Sequence, residues 1–227
     1  MSRSMARRVV AEALGTAFLL AAVVGSGLMG ERLAGGNTAI ALLANAIATG
    51  AALVALILTF GPVSGAHFNP VVTLADASQG GLAWREVPGY IAAQVVGAFL
   101  GVAGAHSMFS QPLFFASRRV RGGGAQIFSE FVATFGLILV IRGCAGVRSA
   151  FAAPLAVGAY ITGAYWFASS TSFANPAVTL ARAATDTFSG IRPADVPGFI
   201  VGQLAGAAAA TIFFRWLVPS ASSTHAG

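Results

Sequence analysis

Long apolar runs, separated by short segments that carry the charged residues, dominate the pattern of this 227-residue chain. A helix needs about 20 apolar residues to cross the roughly 30 Å of hydrocarbon in a bilayer. We therefore predict a membrane span wherever such a run is bounded by charges, prolines or glycine clusters. Six runs meet this criterion, which predicts an all-α membrane protein with six transmembrane helices. The predicted spans are residues 9–30, 37–60, 88–109, 125–143, 151–169 and 197–218.

The composition supports a membrane protein. Hydrophobic residues make up 56% of the chain and charged residues 9%, whereas soluble domains carry roughly 25% charged residues. A soluble enzyme and a disordered chain are therefore excluded. The net charge of +6 comes from arginines that stand singly or in short groups between the apolar runs, which indicates loop charges rather than a nucleic-acid surface. The single cysteine, Cys144, cannot form a disulfide or a zinc cluster within one chain.

Six spans place both termini on the same side of the membrane. Arg3, Arg7 and Arg8 precede the first span, and the positive-inside rule assigns that side to the cytoplasm. Counting these three, seven arginines would lie on the cytoplasmic side and six outside, so the prediction depends on this N-terminal cluster. Arginine as the exclusive basic residue, with abundant alanine and glycine, fits a GC-rich bacterial genome. We therefore predict a multi-pass protein of the bacterial inner (plasma) membrane with both termini cytoplasmic.

The two halves of the sequence resemble each other. Residues 88–98 recur, with substitutions, 109 positions later as 197–207. The segment around Asn69 likewise recurs around Asn175, and Glu12 in the first span is matched by Glu130 in the fourth. Each half, about 9–110 and about 125–218, holds three spans. Because three is odd, the second half must be inserted upside down, which predicts an inverted-topology repeat.

An Asn-Pro pair begins a short apolar stretch in each half. Asn69-Pro70 begins residues 70–77 and Asn175-Pro176 begins residues 176–184, both too short to cross a bilayer. Asn as N-cap and Pro at the first helical position are typical of a helix start, so we predict two re-entrant half-helices. Irregular backbone at membrane depth persists only where it is buried in protein or lines a water-filled path. Two positive helix ends and two Asn amides at the midplane would repel cations and protons and admit neutral solutes.

These motifs carry a family resemblance. The chain resembles the aquaporin and aquaglyceroporin channels, the major intrinsic protein family, over essentially residues 9–218. The resemblance implies an aquaporin-like fold, a single channel domain over residues 1–227, no cofactor, and a homotetramer in the lipid bilayer whose subunits each conduct water and small neutral solutes. The motifs that carry it are Ser-Gly-Ala-His-Phe-Asn-Pro-Val-Val-Thr at 64–73, Phe-Ala-Asn-Pro-Ala at 173–177, and the pairs Glu12/Glu130 and Gln94/Gln203.

The family implies roles for individual residues. Asn69 and Asn175 would donate hydrogen bonds to the passing solute. Val71 replaces the alanine of the first motif, whereas Ala177 completes the second. The resemblance gives the intramembrane carboxylates Glu12 and Glu130 a structural role, bracing the re-entrant loops. His67 matches a family histidine that forms part of the pore wall; a pH gate is the alternative.

The selectivity filter departs from the family pattern. Family spacing places its four positions 20 residues before Asn69 and 12 before, 3 before and 3 after Asn175. Here they are Thr49, Gly163, Ser172 and Val178. Water-selective members have bulky aromatic or histidine residues and an arginine at these positions, and glycerol-passing members also keep the arginine. We therefore predict a wide, arginine-free filter that passes glycerol-like polyols, metalloid acids such as arsenic species, and water. A bacterial subgroup linked to arsenic resistance is similar in lacking this arginine.

Arg182 lies one helical turn beyond Val178 on the same predicted half-helix. It would make the outer mouth of the pore positive. The alternative is a solvated loop charge or a contact to lipid headgroups.

Two other function classes stay open. A secondary transporter also uses inverted repeats and broken helices, but coupling would need titratable groups on the path, and the deep carboxylates are Glu12 and Glu130. A closed, structural family member is the second alternative. An enzyme is not expected, because the sequence shows no nucleophile–base pair, metal cluster or phosphate loop.

Overall fold

The computed structural model describes residues 4–218, which form eight α-helices and two short 3-10 turns and contain no β-strand. Arg3, a member of the N-terminal arginine cluster, lies outside the described residues. The helices are α1 (Met5–Leu33), α2 (Thr38–Ser64), α3 (Pro70–Ala77), α4 (Val87–Met108), α5 (Gly124–Cys144), α6 (Ala152–Phe167), α7 (Pro176–Arg182) and α8 (Val196–Leu217).

Five of the described helices, α1, α2, α4, α5 and α8, are long and apolar enough to cross a membrane. Helix α6 occupies the remaining predicted span, 151–169, but has only 16 residues. It ends early because the backbone becomes extended at Ala168, where the chain turns toward the second Asn-Pro motif. The prediction of an all-α membrane protein is confirmed.

Helices α3 and α7 are the two predicted half-helices. Helix α3 has the predicted bounds, whereas α7 ends at Arg182, two residues before the predicted end at 184. Asn69 Oδ1 accepts a hydrogen bond from the amide of Val71 at 3.1 Å, and Asn175 Oδ1 accepts from Ala177 at 3.0 Å. Each Asn thus satisfies a free N–H at a helix start, and the proline that follows has no N–H to satisfy.

Glycines bring the long helices into close contact, in the same way in each half. A Cβ atom on Gly97 of α4 would collide with the carbonyl oxygen of Ala13 in α1. A Cβ atom on Gly206 of α8 would collide with the carbonyl oxygen of Phe131 in α5. Small residues allow this backbone approach in membrane helices. The pairs α1–α4 and α5–α8 therefore form two similar scaffolds, and the half-helices pack against them.

Candidate solute-conducting pore

A cavity of about 410 Å³ runs between the two half-helices. Its wall is mostly apolar, with side chains such as Leu53, Ile57 and Val157 from the long helices. Asp76 of α3 lines it at one end, which we call the α3 end, and Arg182 lines it at the other, the α7 end. The other polar side chains of the wall are Ser64, Thr49, His67, Asn69, Tyr165, Ser172 and Asn175, and Arg8 and Arg142 are further charged residues of the lining.

The two Asn-Pro motifs meet through a reciprocal pair of hydrogen bonds. Asn69 Nδ2 donates to the carbonyl oxygen of Ala174 at 2.8 Å, and Asn175 Nδ2 donates to that of Phe68 at 2.8 Å. A primary amide has two N–H donors, so each Asn keeps one donor for a solute in the cavity. The half-helices therefore present two fixed hydrogen-bond donors where they meet.

Strained backbone leads into both motifs. Ala66 and Phe68 before the first motif, and Thr171, Ser172 and Ala174 before the second, have φ values between 47° and 63°. Residues other than glycine rarely adopt this left-handed conformation, and it persists where surrounding contacts impose it.

Two buried carboxylates impose that conformation. Glu12, fully buried, accepts hydrogen bonds from the amides of His67 at 3.0 Å and Phe68 at 2.7 Å. Glu130, also fully buried, accepts from the amides of Phe173 at 2.9 Å and Ala174 at 2.8 Å. Each carboxylate accepts a further hydrogen bond from a glutamine: Gln94 to Glu12 at 2.8 Å and Gln203 to Glu130 at 2.6 Å. Both carboxylates are therefore occupied by the loops that they hold.

His67 lines the cavity on the side of α3. Its Nδ1 lies 3.1 Å from Thr73 Oγ1 and its Nε2 lies 3.7 Å from Asp76 Oδ2. The ring also packs against Tyr90, with centroids 5.4 Å apart. His67 is thus packed into the cavity wall.

Three of the four predicted filter residues, Thr49, Ser172 and Val178, line the cavity and are at most 5% exposed. The structure does not bring the fourth, Gly163, to the cavity. Gly163 is exposed and is not part of the cavity wall, and a Cβ atom there would meet open space. Because an α-helix turns by about 100° per residue, residue 163 points away from the face that carries Ile161 and Tyr165.

Tyr165 is the residue that the sequence interpretation missed. It lines the cavity with Val157 and Ile161, and its hydroxyl lies 3.2 Å from Thr49 Oγ1. The spacing of these three residues, i, i+4 and i+8, is the signal that could have identified this face. The cavity wall therefore contains an aromatic residue, contrary to the filter predicted from family spacing.

Arg182 is not a solvated loop charge. It is 2% exposed, and its guanidinium stacks on Phe173 with Cζ 3.3 Å from the ring centroid. Its Nε donates to the carbonyl oxygen of Ser189. Arg182 therefore lies at the cavity wall, one helical turn beyond Val178 on α7.

Arg121, in the connection between α4 and α5, approaches the same Phe173 ring as Arg182. Its Nε donates to the carbonyl of Gly190 at 2.8 Å, and its Nη1 donates to the carbonyl of Ser170 at 3.1 Å. Burial lowers the pKa of Arg121 to about 10, which leaves it charged at neutral pH. Within residues 4–218, neither the Arg121 nor the Arg182 guanidinium has a carboxylate within 4.0 Å. The α7 end of the cavity is therefore positively charged.

In a helical membrane protein, two half-helices that meet at a cavity with two asparagine amides are typical of a transmembrane channel. The model of the major intrinsic protein family matches residues 1–169. The chain belongs to the major intrinsic protein family, whose members are passive channels, and the prediction that it is not an enzyme is confirmed.

Individual relatives agree with this assignment. The aquaglyceroporin AqpS of Rhizobium meliloti (strain 1021) is 55% identical over 218 residues, which are 96% of this chain and 92% of that protein. The aquaporin NIP1-3 of Oryza sativa subsp. japonica is 36% identical over 91% of this chain and 73% of its own length. The X-ray structure of the aquaglyceroporin from Plasmodium falciparum shares the fold, with a TM-score of 0.73 and 23% identity over 93% of this chain and 96% of that one.

Proposed function

We propose that this protein is an aquaglyceroporin-type channel that passes small and medium neutral solutes, including glycerol-like polyols and metalloid acids, together with water. The observation that carries the proposal is the cavity of about 410 Å³ that contains both Asn-Pro motifs and has Val178 in place of an arginine. The 55% identity to a protein named as an aquaglyceroporin supports the channel type.

The lining suits solutes that have both hydroxyl groups and carbon–hydrogen surface. The amides of Asn69 and Asn175 and the hydroxyls of Thr49 and Tyr165 can replace hydrogen bonds that a solute loses on leaving water. The apolar wall holds no group that must be desolvated when a carbon backbone passes it. A neutral metalloid acid carries several hydroxyls on one compact centre and meets the same donors. Arsenic species are the favoured metalloids, because a bacterial subgroup of the family that is linked to arsenic resistance also lacks the arginine at the position of Val178.

We further propose that both termini lie in the cytoplasm of a bacterial plasma membrane, so that the α7 end of the cavity faces outward. Two halves, about 9–110 and about 125–218, then form a single channel domain of inverted repeats. The equivalent contacts of Glu12 and Glu130 with their loops support this division. The family resemblance supports a homotetramer with one pore in each subunit.

The test is a permeability panel in proteoliposomes measured by stopped-flow light scattering. The panel compares water, glycerol, a six-carbon polyol, and boric and arsenous acids at neutral pH, with protein-free vesicles as control. We expect passive flux of water, glycerol and both metalloid acids, with the flux of water and glycerol non-saturating. Water flux combined with exclusion of glycerol-sized solutes would refute the proposed solute range.

The same panel separates the two alternatives. A secondary transporter would show uptake that depends on a proton gradient. The saturated hydrogen bonding of Glu12 and Glu130 argues against such coupling, because a carboxylate that exchanges protons would release the loops that it holds. A closed structural protein would show no flux of any solute.

A further inference from the structure

We propose that Arg182 and Ser172 form a binding site for compact oxyacids, molecules that carry at least two oxygens on one central atom, at the α7 end of the cavity. The site rests on the proposed channel function in one respect: the oxyacid reaches it through the conduit. The site would bind oxyacids selectively during their passage, which a wide filter without charged groups would not do.

The first observation is an unsatisfied buried cation. Arg182 is 2% exposed, yet its Nε has a carbonyl partner and neither Nη atom meets an acceptor among residues 4–218. Burial of a guanidinium without an ionic partner is unfavourable. Stacking on Phe173 compensates part of that cost through the face of the guanidinium. The Nη donors lie in the plane of the group, at its edge, and stacking leaves them unused.

Among residues 4–218, the neighbouring Arg121 has its donors paired, whereas the Nη donors of Arg182 are not. Both guanidinium groups lie near Phe173, with the Cζ of Arg121 5.1 Å from the ring centroid. Arg121 donates hydrogen bonds to the backbone carbonyls of Ser170, Phe188 and Gly190. Arg121 therefore fixes the loops, whereas Arg182 keeps donors for a ligand.

The second observation is independent. Ser172 is 3% exposed and lines the same cavity, and its Oγ has no hydrogen-bond partner within residues 4–218. Buried hydroxyls are almost always hydrogen-bonded. An unpartnered hydroxyl and an unpartnered guanidinium edge on the wall of one cavity are typical of a site that a polar ligand completes.

The geometry of the donors selects the ligand class. The planar edge of a guanidinium matches two oxygens on one centre and binds them in a bidentate manner, and a negative charge strengthens the contact. In glycerol each oxygen is on a different carbon, so it fits this edge less well. A singly ionised oxyacid with two such oxygens satisfies the charge of Arg182 as well, and we expect it to bind most tightly and to obstruct the conduit.

The test uses hypophosphite, a small anion with two oxygens on one phosphorus, as an inhibitor of glycerol flux. Proteoliposomes carry the wild type, Arg182→Gln, Arg182→Lys, Ser172→Ala, or the matched control Arg118→Gln, whose side chain is 92% exposed. Inhibition is expressed relative to the glycerol flux of each variant without hypophosphite, with the anion on both sides of the membrane.

We expect hypophosphite to inhibit the wild type and Arg118→Gln equally. The half-inhibiting concentration should increase by about tenfold or more in Arg182→Gln, where a charged bidentate contact is lost, and by roughly fivefold in Ser172→Ala. Arg182→Lys keeps the charge but not the planar edge, and we expect an intermediate value. If Arg182→Gln does not fold, the half-inhibiting concentration of Arg182→Lys is compared with that of the wild type instead.

Glycerol flux through the wild type that hypophosphite does not inhibit, or equal inhibition of the wild type and the Arg182 variants, would overturn the site. Absence of glycerol flux in the wild type would contradict the proposed function instead. Calorimetric titration of the detergent-solubilised protein with hypophosphite then decides the site by itself. Binding to the wild type that weakens in Arg182→Lys supports the site, and no binding to the wild type refutes it.

Discussion

The hydroxyl oxygens of Thr49 and Tyr165 lie 3.2 Å apart and join helices α2 and α6 at the wall of the cavity. Tyr165 lines the cavity from α6, whereas Gly163 does not. Its phenol ring and hydroxyl are therefore both part of the cavity wall beside Thr49.

The first prediction concerns Tyr165. Replacing it with alanine removes a ring from the cavity wall and should raise the permeability to a six-carbon polyol several-fold, with a smaller effect on water. Gly163→Ala is the control, because a Cβ atom at that position meets open space and should leave all permeabilities unchanged. Stopped-flow light scattering measures both. An effect of Gly163→Ala equal to that of Tyr165→Ala would restore the original filter assignment.

Val178 provides the second prediction. Val178→Arg places a second guanidinium one turn from Arg182, which adds bulk and positive charge at the cavity wall. We expect flux of polyols larger than glycerol to fall at least about tenfold, the effect of a barrier increase of roughly 1.4 kcal/mol. Val178→Leu adds bulk without charge and should reduce flux less. Unchanged flux of large solutes through Val178→Arg would show that Val178 is not part of the restriction.

Glu130 should be important for stability. Glu130→Gln replaces an acceptor oxygen with a donor amide that faces the N–H groups of Phe173, Ala174 or Gln203. The loss should be roughly 2–4 kcal/mol of folding free energy, seen as a lower apparent unfolding temperature in detergent. The matched control Glu31→Gln changes a side chain that is 52% exposed and should have little effect. Equal unfolding temperatures for the two variants would contradict the bracing role of Glu130.

The contact between α5 and α8 depends on Gly206. Gly206→Ala places a methyl group against the carbonyl oxygen of Phe131 and should cost about 1–3 kcal/mol by overpacking. Gly104→Ala in α4 meets no atom within 4 Å and should be neutral or slightly stabilising, because alanine favours helix more than glycine does. Thermal unfolding of the solubilised protein compares the two. A Gly206→Ala variant as stable as Gly104→Ala would argue against close helix contact there.

Features with local causes could be predicted from the sequence. The helix starts at Asn69 and Asn175 follow from the chemistry of Asn and Pro at neighbouring positions, so α3 begins where the sequence predicts it. The long helices follow from the length of the apolar runs. The correspondence of Glu12 and Glu130 follows from the internal repeat, and their contacts with the loops are those that the family resemblance implies.

The sequence by itself determined the class of fold, the two half-helices and the matched pair of buried carboxylates, because these depend on local chemistry and on a repeated pattern. Only the tertiary structure decided that Tyr165, not Gly163, faces the cavity. The rotation of α6 about its axis depends on its packing against α2, where Gly158 and Gly50 meet. Tertiary packing also decided that Arg182 is buried at the pore: its distance from Val178 is set by the helix, but its burial depends on Phe173 and Ser189, which come from other segments.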